Sequence, residues 1–330
     1  MNFQKLPKID LHCHLDGSLR AQTVLDIIKK NKIQSNQNLK NIKKQLTAPL
    51  NCSSLEEYLK SFNLPIAVMQ TKEDLERVSF ELMEDASIEN IKYIEIRFAP
   101  QQHKKEGLTT KEIIQSVLSG MKKAEKLYDI KGNYILSCMR HLSAESAMKI
   151  IEEGKTFLGN GVVAVDLCGE ELPGFCHKFI QPMKKAKDYG YRITIHAGET
   201  GIGENVTDAI NLLGAERIGH GIFISNNKKA YDLVKEKQVT LEICPTSNIQ
   251  TKAIKNYKEH PIYNFYNDEI LVTLNTDNRT VSNTSMSEEY LQIKKAFNLK
   301  NEEYRHIYLN SVEAAFISEN EKQKLKKYLK

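Results

Sequence analysis

Lys8-Ile9-Asp10-Leu11-His12-Cys13-His14 reads as a β-strand that ends in two histidines one residue apart. In a strand, residues i and i+2 project from the same face. His12 and His14 therefore point the same way and can share one metal ion, for which imidazole suits Zn²⁺. An H-x-H pair arises by coincidence in most chains, so its weight depends on what else stands at the same level of the fold.

Seven further short runs of apolar and β-branched residues follow: Tyr93–Ala99, Tyr134–His141, Val162–Gly169, Arg192–Glu199, Arg217–Gly221, Thr240–Asn248 and Leu271–Asn278. Helical patterns separate them. Ile113, Ile114, Val117, Leu118 and Met121 recur at helical spacing. Ser143 is placed to cap a helix through Met148 and Ile151, and Thr207 one through Ile210 and Leu213. Strands alternating with helices predict parallel βα units, and eight of them predict a closed (β/α)₈ barrel, with residues 1–330 as a single domain. The sixth strand is short and glycine-rich. About 78 residues separate His14 from Tyr93, far more than a barrel loop needs. This stretch must hold extra helices, with Leu55, Tyr58, Leu59 and Phe62 at helical spacing. A helical insertion after strand 1, over about residues 40–90, is expected either as a lid on the barrel mouth or as a helix packed on the barrel side. After Asn278 the pattern is helical, through Tyr290, Ile293 and Phe297 and then Ile307, Val312 and Phe316.

Composition narrows the function classes. The 47 basic and 42 acidic residues leave a net charge of +5, and the lysines are scattered in pairs such as Lys29-Lys30 and Lys122-Lys123. Nucleic-acid binding calls for a clustered basic stripe with interleaved aromatics, which is absent from the sequence. No apolar run approaches the length of a membrane span. No two of the six cysteines form C-x-x-C, and the first residues open no apolar leader segment. The expectation is a reduced, cytoplasmic protein that engages neither membrane nor nucleic acid.

The polar residues collect at one edge. His12 and His14 end the first predicted strand, His196 and Glu199 the fifth, His220 the sixth and Asp277 the eighth. Barrel active sites are built at the carboxyl ends of the strands. A catalytic zinc takes about three protein ligands and leaves a position for water; His196 and Asp277 arrive from other parts of the wall to complete a site begun by His12 and His14. His141 fits a pocket or a core position. His103, His177, His260 and His306 have no partner pattern and are expected at the surface. Cys13, Cys138, Cys168 and Cys244 are expected as small buried residues. Gly169 serves either backbone conformation or close approach to a ligand.

At these residues the chain resembles the adenosine deaminase family. The matching segments are IDLHCHLDGSLR (Ile9–Arg20), VDLCGEE (Val165–Glu171), HAGET (His196–Thr200), RIGHG (Arg217–Gly221), LEICPTSN (Leu241–Asn248) and LNTDN (Leu274–Asn278), with a weaker CMRH (Cys138–His141). They occur in family order over nearly the whole chain. The resemblance implies hydrolytic deamination of a purine nucleoside. It implies that His12, His14, His196 and Asp277 hold one zinc and that Glu199 faces purine N1. It further implies that His220 orients the reacting water, that Gly169 meets the purine edge and Asp16 the ribose, and that Phe62 covers the pocket. Related two-metal hydrolases use a modified lysine on the fourth strand; here that strand ends Asp166-Leu167-Cys168-Gly169, so one metal is expected. Asp16 resembles nucleoside deaminases, where relatives acting on free adenine more typically carry Glu. Many members have a second Asp after the metal-binding one. Here it is Asn278, whose amide can donate to the acceptor N7 without a titratable proton.

The chemistry agrees with that assignment. Protonating N1 makes C6 of a 6-aminopurine electrophilic, so a carboxylic acid must stand close by, held neutral by a closed apolar pocket. Two other readings follow the same residues less well: the same chemistry on adenine or a 5′-modified adenosine, and a barrel that binds ligand without turnover, which would have lost a ligand or the acid.

Overall fold

The computed structural model describes residues 1–33, 37–49, 52 and 55–329, without the side chain of Glu56. Eight strands, β1 Lys8–His14, β2 Ile91–Phe98, β3 Lys131–Met139, β4 Val162–Cys168, β5 Arg192–Ala197, β6 Arg217–His220, β7 Thr240–Ile243 and β8 Val272–Leu274, follow one another around the sheet in chain order. Every neighbouring pair from β1–β2 to β7–β8 is parallel. The ring closes just beyond β8 through a bridge between Cys13 and Asp277. There the Asp277 N–H donates to the His12 carbonyl at 2.8 Å, and the His14 N–H donates to the Asp277 carbonyl at 2.7 Å. This is the expected (β/α)₈ barrel.

Helices cover the outside, so the strands are buried on both faces and their sequences read as near-continuous apolar runs. In β1 every residue but His14 is buried. The helix Thr110–Leu127 carries the expected apolar face and opens with a capping box between Thr109 and Glu112. Ser143 caps Ala144–Gly154 as expected, its side chain accepting from the Ser146 N–H. Thr207 does not act as a cap. Its helix begins at Glu204, three residues earlier, because the turn at Gly203 already starts the spiral.

β1 keeps the expected bounds Lys8–His14, whereas β5 to β8 end before the residues expected to close them. Thr240–Asn248 is a strand only to Ile243, since Pro245 opens the helix Pro245–Gln250, where its missing N–H costs nothing. Leu271–Asn278 is a strand only from Val272 to Leu274. Gly198, His220 and Asp277 take left-handed φ values of 65°, 63° and 58°, which swing the chain out of the sheet.

The long connection after β1 holds two kinds of helix. Lys72–Ile88 packs along Thr110–Leu127 and is the wall helix of the first βα unit. Leu55–Leu59, the 3₁₀ turn Lys60–Phe62 and Asn63–Val68 instead lie over the barrel mouth, where Leu55, Tyr58, Leu59, Phe62, Asn63 and Ile66 line the central cavity. Met286–Phe297, Asn301–Ala314 and Glu319–Lys326 complete the C-terminal end. No described helix is long and apolar enough to cross a membrane.

Candidate active site

β1 brings His12 and His14 to the mouth on one face, as the i, i+2 rule requires. β5 supplies His196, β6 supplies His220, and the turn after β8 supplies Asp277. One ring nitrogen of each of His12, His196 and His220 and a carboxylate oxygen of Asp277 all lie within 4.8 Å of one another, and all four residues are buried. His14 stands outside that mutually close set but touches it. Its Nε2 is 3.3 Å from His196 Nε2 and 3.4 Å from Asp277 Oδ1. The structure therefore gathers five candidate ligands where the sequence reading assigned four.

These groups suit a metal ion. Two imidazole nitrogens 3.3 Å apart repel unless a proton or cation lies between them. His12 Nε2 is fully buried, has no hydrogen-bond partner, and sits 3.5 Å from Asp277 Oδ1. Burial alone would raise the Asp277 carboxyl; its interactions with His12, His14 and His220 outweigh that and hold it well below the usual carboxylate range. Imidazoles with one carboxylate are a donor set for zinc.

Outer partners fix the rings. His12 Nδ1 pairs with Glu242 Oε2 at 2.9 Å, and His196 Nδ1 pairs with Asp166 Oδ1 at 2.9 Å. A carboxylate accepts only, so both Nδ1 atoms carry the proton and both Nε2 lone pairs are free. Arg97 reaches both carboxylates, Glu242 at 2.7 Å and Asp166 at 3.4 Å. Burial would raise Glu242, but Arg97 and Arg217 hold it well below its ordinary value. Gly219 leaves room for this crowding, because a Cβ there would come within 3.0 Å of His12 Cε1.

Glu199 follows β5 in a loop held by a buried carboxylate that the sequence reading gave no role. Glu171 accepts from the backbone N–H groups of Gly198 at 2.7 Å, Glu199 at 2.8 Å and Thr200 at 2.9 Å, and from the Asn205 amide at 3.0 Å. Burial pushes the Glu171 carboxyl up, but Arg140 and these donors bring it below its ordinary value. Glu199 Oε1 lies 3.8 Å from His220 Nε2.

A cavity of about 380 Å³ opens above these groups. His14, Asp16, Phe62, Gly169, Glu199, His220, Asp277 and Asn278 all line it, as does His141. Asp16 is buried, its Oδ1 has no partner, and burial raises its carboxyl to about 7. Asn278 is less free than the sequence suggested. Its Nδ2 donates to the Tyr58 hydroxyl at 2.9 Å, and its Oδ1 is left without a partner. Among the described residues no lysine or arginine lines the cavity.

The chain matches the adenosine deaminase family model over residues 7–330. It belongs to the adenosine deaminase family. It is 58% identical to an adenosine deaminase of Clostridium perfringens, across 99% of this chain and 98% of that one. It is 56% identical to an adenosine deaminase of Clostridium botulinum, with both chains covered in full. Among solved structures it resembles an Arabidopsis N6-mAMP deaminase, with a TM-score of 0.90 at 28% identity over 99% and 98% of the two chains. It shares the fold of an adenine deaminase from Arthrobacter aurescens, with a TM-score of 0.91 at 22% identity over 98% of each chain.

Two of the histidines expected at the surface are buried. His103 stacks on Phe98 with ring centroids 5.9 Å apart, and His260 hydrogen-bonds Asn248 at 3.2 Å. Isolated histidines carry no periodic signal, so neither contact was visible before the chain was folded. His177 and His306 are exposed as expected. Cys13, Cys138, Cys168 and Cys244 are buried.

Proposed function

We propose that the protein hydrolyses adenosine and 2′-deoxyadenosine to inosine and 2′-deoxyinosine with release of ammonia, using one zinc ion, as a cytoplasmic enzyme of purine salvage. The observation that carries this is the meeting of His12, His14, His196 and Asp277 beside Glu199 at the floor of one cavity. When bound by these four residues, zinc supplies the Lewis acidity that brings the pKa of a water to about 7.

The chain's own residues do the rest. Glu199, in its carboxylic acid form, donates its proton to purine N1, so that C6 accepts the oxygen of water; of the two protons that water gives up, one returns to Glu199 and one goes to the 6-amino group, which leaves as ammonia, and the 6-oxopurine remains. His220 offers a ring nitrogen beside Glu199 to orient that water. Asp16 Oδ1, an unpartnered acceptor, suits a ribose hydroxyl. The left-handed backbone at Gly169, φ 100°, leaves its main chain open to the purine edge. Phe62 and its neighbours cover the mouth as a lid. Asn278 can serve N7 if its amide turns, with the Tyr58 hydroxyl then donating to Oδ1.

The lining favours a nucleoside over a nucleotide. Among the described residues its carboxylates are Asp16, Glu170, Glu199 and Asp277, and no lysine or arginine stands ready for a phosphate. The test is ammonia release from adenosine, deoxyadenosine, adenine, AMP and a 5′-modified adenosine, with metal analysis of the purified protein. Adenosine and deoxyadenosine should give the highest kcat/KM, with about one zinc per chain. A higher kcat/KM for adenine or AMP would overturn the substrate assignment.

A further inference from the structure

His12, His196 and His220 all bring a ring nitrogen to the same point, yet their outer hydrogen bonds are of opposite kinds. Those of His12 and His196 end on carboxylates. That of His220 ends on an amide, with Asn248 Nδ2 3.0 Å from His220 Nδ1. Which end of that amide faces the ring decides where the His220 proton sits.

The amide is fixed from behind, starting at a group whose role cannot be exchanged. The backbone N–H of Ile262 donates to His260 Nδ1 at 3.2 Å. His260 Nδ1 is therefore unprotonated, and the proton of the neutral ring is on Nε2. Burial also depresses the His260 imidazolium, to about 3, with the neighbouring His220 a smaller contribution. His260 Nε2–H lies 3.2 Å from Asn248 Oδ1 and donates to it. Asn248 then has its NH₂ toward His220 Nδ1, which accepts. The His220 proton is left on Nε2, the nitrogen that looks toward Glu199. Asn248 and His260 are both buried, which shields these partners from bulk water.

We propose that Asn248 and His260 are positioning residues that hold His220 as the Nε2–H tautomer, making it a hydrogen-bond donor to the reacting water and keeping it off the metal. His220 is as close to His12, His196 and Asp277 as a fourth ligand would be, and the relay is what distinguishes it from them. The catalytic part rests on the deaminase reading above; the tautomer does not.

Asn248→Asp tests the idea with almost no change of shape. A carboxylate at that position still accepts from His260 Nε2–H, but it draws the His220 proton to Nδ1 and frees the Nε2 lone pair. In zinc-loaded enzyme labelled with ¹⁵N-histidine, His220 Nδ1 should give the signal of an unprotonated ring nitrogen in the wild type and of a protonated one in Asn248→Asp. Turnover of adenosine should fall roughly 10²–10⁴-fold in kcat, as expected when a catalytic histidine is held in the wrong tautomer. His260→Gln, whose amide can still donate to Asn248 Oδ1, should retain most of the activity that His260→Leu loses. A wild-type His220 protonated at Nδ1 would overturn the proposal. So would an Asn248→Asp enzyme with inverted tautomer and undiminished kcat. A wild type that shows the expected tautomer but no adenosine turnover would refute the deaminase reading and leave the relay standing.

Discussion

Replacing Glu171 by Gln should cripple the site without touching a group proposed to meet substrate or metal. The Glu171 oxygens divide their donors. Oε1 takes the Gly198 N–H and the Asn205 amide, and Oε2 takes the Glu199 and Thr200 N–H groups and the Thr200 hydroxyl. Gln keeps one oxygen and sets an NH₂ in place of the other. The Thr200 hydroxyl can turn to accept. The backbone N–H groups cannot, and Asn205 is held because its Oδ1 already accepts from the Gly174 N–H. The better orientation puts NH₂ at Oε1 and strands the Gly198 N–H and one N–H of the Asn205 amide, whose other N–H still donates to the Leu172 carbonyl at 3.1 Å. Each buried donor left unpaired costs about 1–3 kcal/mol, so the loop that carries Glu199 loses roughly 2–6 kcal/mol of support. The chain relaxes by moving, and a displacement near 1 Å at a catalytic group costs about 10²-fold. The assay is steady-state ammonia release from adenosine, with a thermal melt and a zinc determination alongside. The expected result is kcat down by about 10²-fold, a lower Tm and unchanged zinc. A kcat within twofold of wild type and an unshifted Tm would refute the idea that Glu171 holds this loop.

Glu199→Gln should retain zinc and lose at least ~10²–10⁴ in kcat, since it removes the proposed proton donor and no ligand; loss of the metal on analysis would show that Glu199 is a ligand instead. Burial raises Glu289 from 4.5 to about 7, so the folded state holds its proton more tightly than the unfolded chain does. The stability from Glu289 is therefore full below pH 4.5 and lost as pH rises through about 7, at most roughly 3 kcal/mol. Glu289→Gln should flatten that loss, seen as a smaller drop in Tm between pH 4.5 and pH 8; an unchanged drop would count against it. A Cβ at Gly17 would come within 1.9 Å of Asn278 Oδ1, so Gly17→Ala must displace that amide. If Asn278 serves N7, this variant should lose more kcat/KM with adenosine than with 7-deazaadenosine; equal losses would leave Asn278 a structural residue.

The barrel was legible because each strand is buried on both faces, and that produces short β-branched runs at regular intervals, as in Ile193-Thr194-Ile195. The ends of β6 and β8 were not, because the residues that turn the chain out of the sheet there, His220 and Asp277, are not glycine or proline. His220 and Asp277 take left-handed φ for reasons of the site, not of local sequence. The inward-facing residues His12, His14, His196, His220 and Asp277 could be read from their position at the strand ends. The supports could not. Glu171, Asn248 and His260 lie on three separate segments, and what joins them is hydrogen bonds across the fold. The signal available was a charged residue inside an otherwise apolar strand: Asp166 and Glu242 fit that description, whereas Arg97 shares β2 with Lys92 and Glu95.

Those three residues also explain why a cation belongs where His12 and His196 point. Burying an ionised carboxylate is costly unless it is paired. Beneath the site Arg97 pairs with Asp166 and Glu242, and Arg217 pairs with Glu242 and Glu95. Two guanidinium groups thus face three carboxylates, all fully or almost fully buried. The uncompensated negative charge is not spread evenly. Glu95 sits at the far end, where the Phe316 N–H also donates to it at 2.7 Å. Asp166 and Glu242 sit directly behind the two histidine rings, and each takes an Nδ1 proton. Their charge raises the basicity of the opposite nitrogen and favours a positive ion there. Asp277 adds a further carboxylate on the other side. A positive ion held between these groups completes the charge balance of the barrel interior, so its removal should be felt in the packing of the strands beneath as well as in the chemistry above.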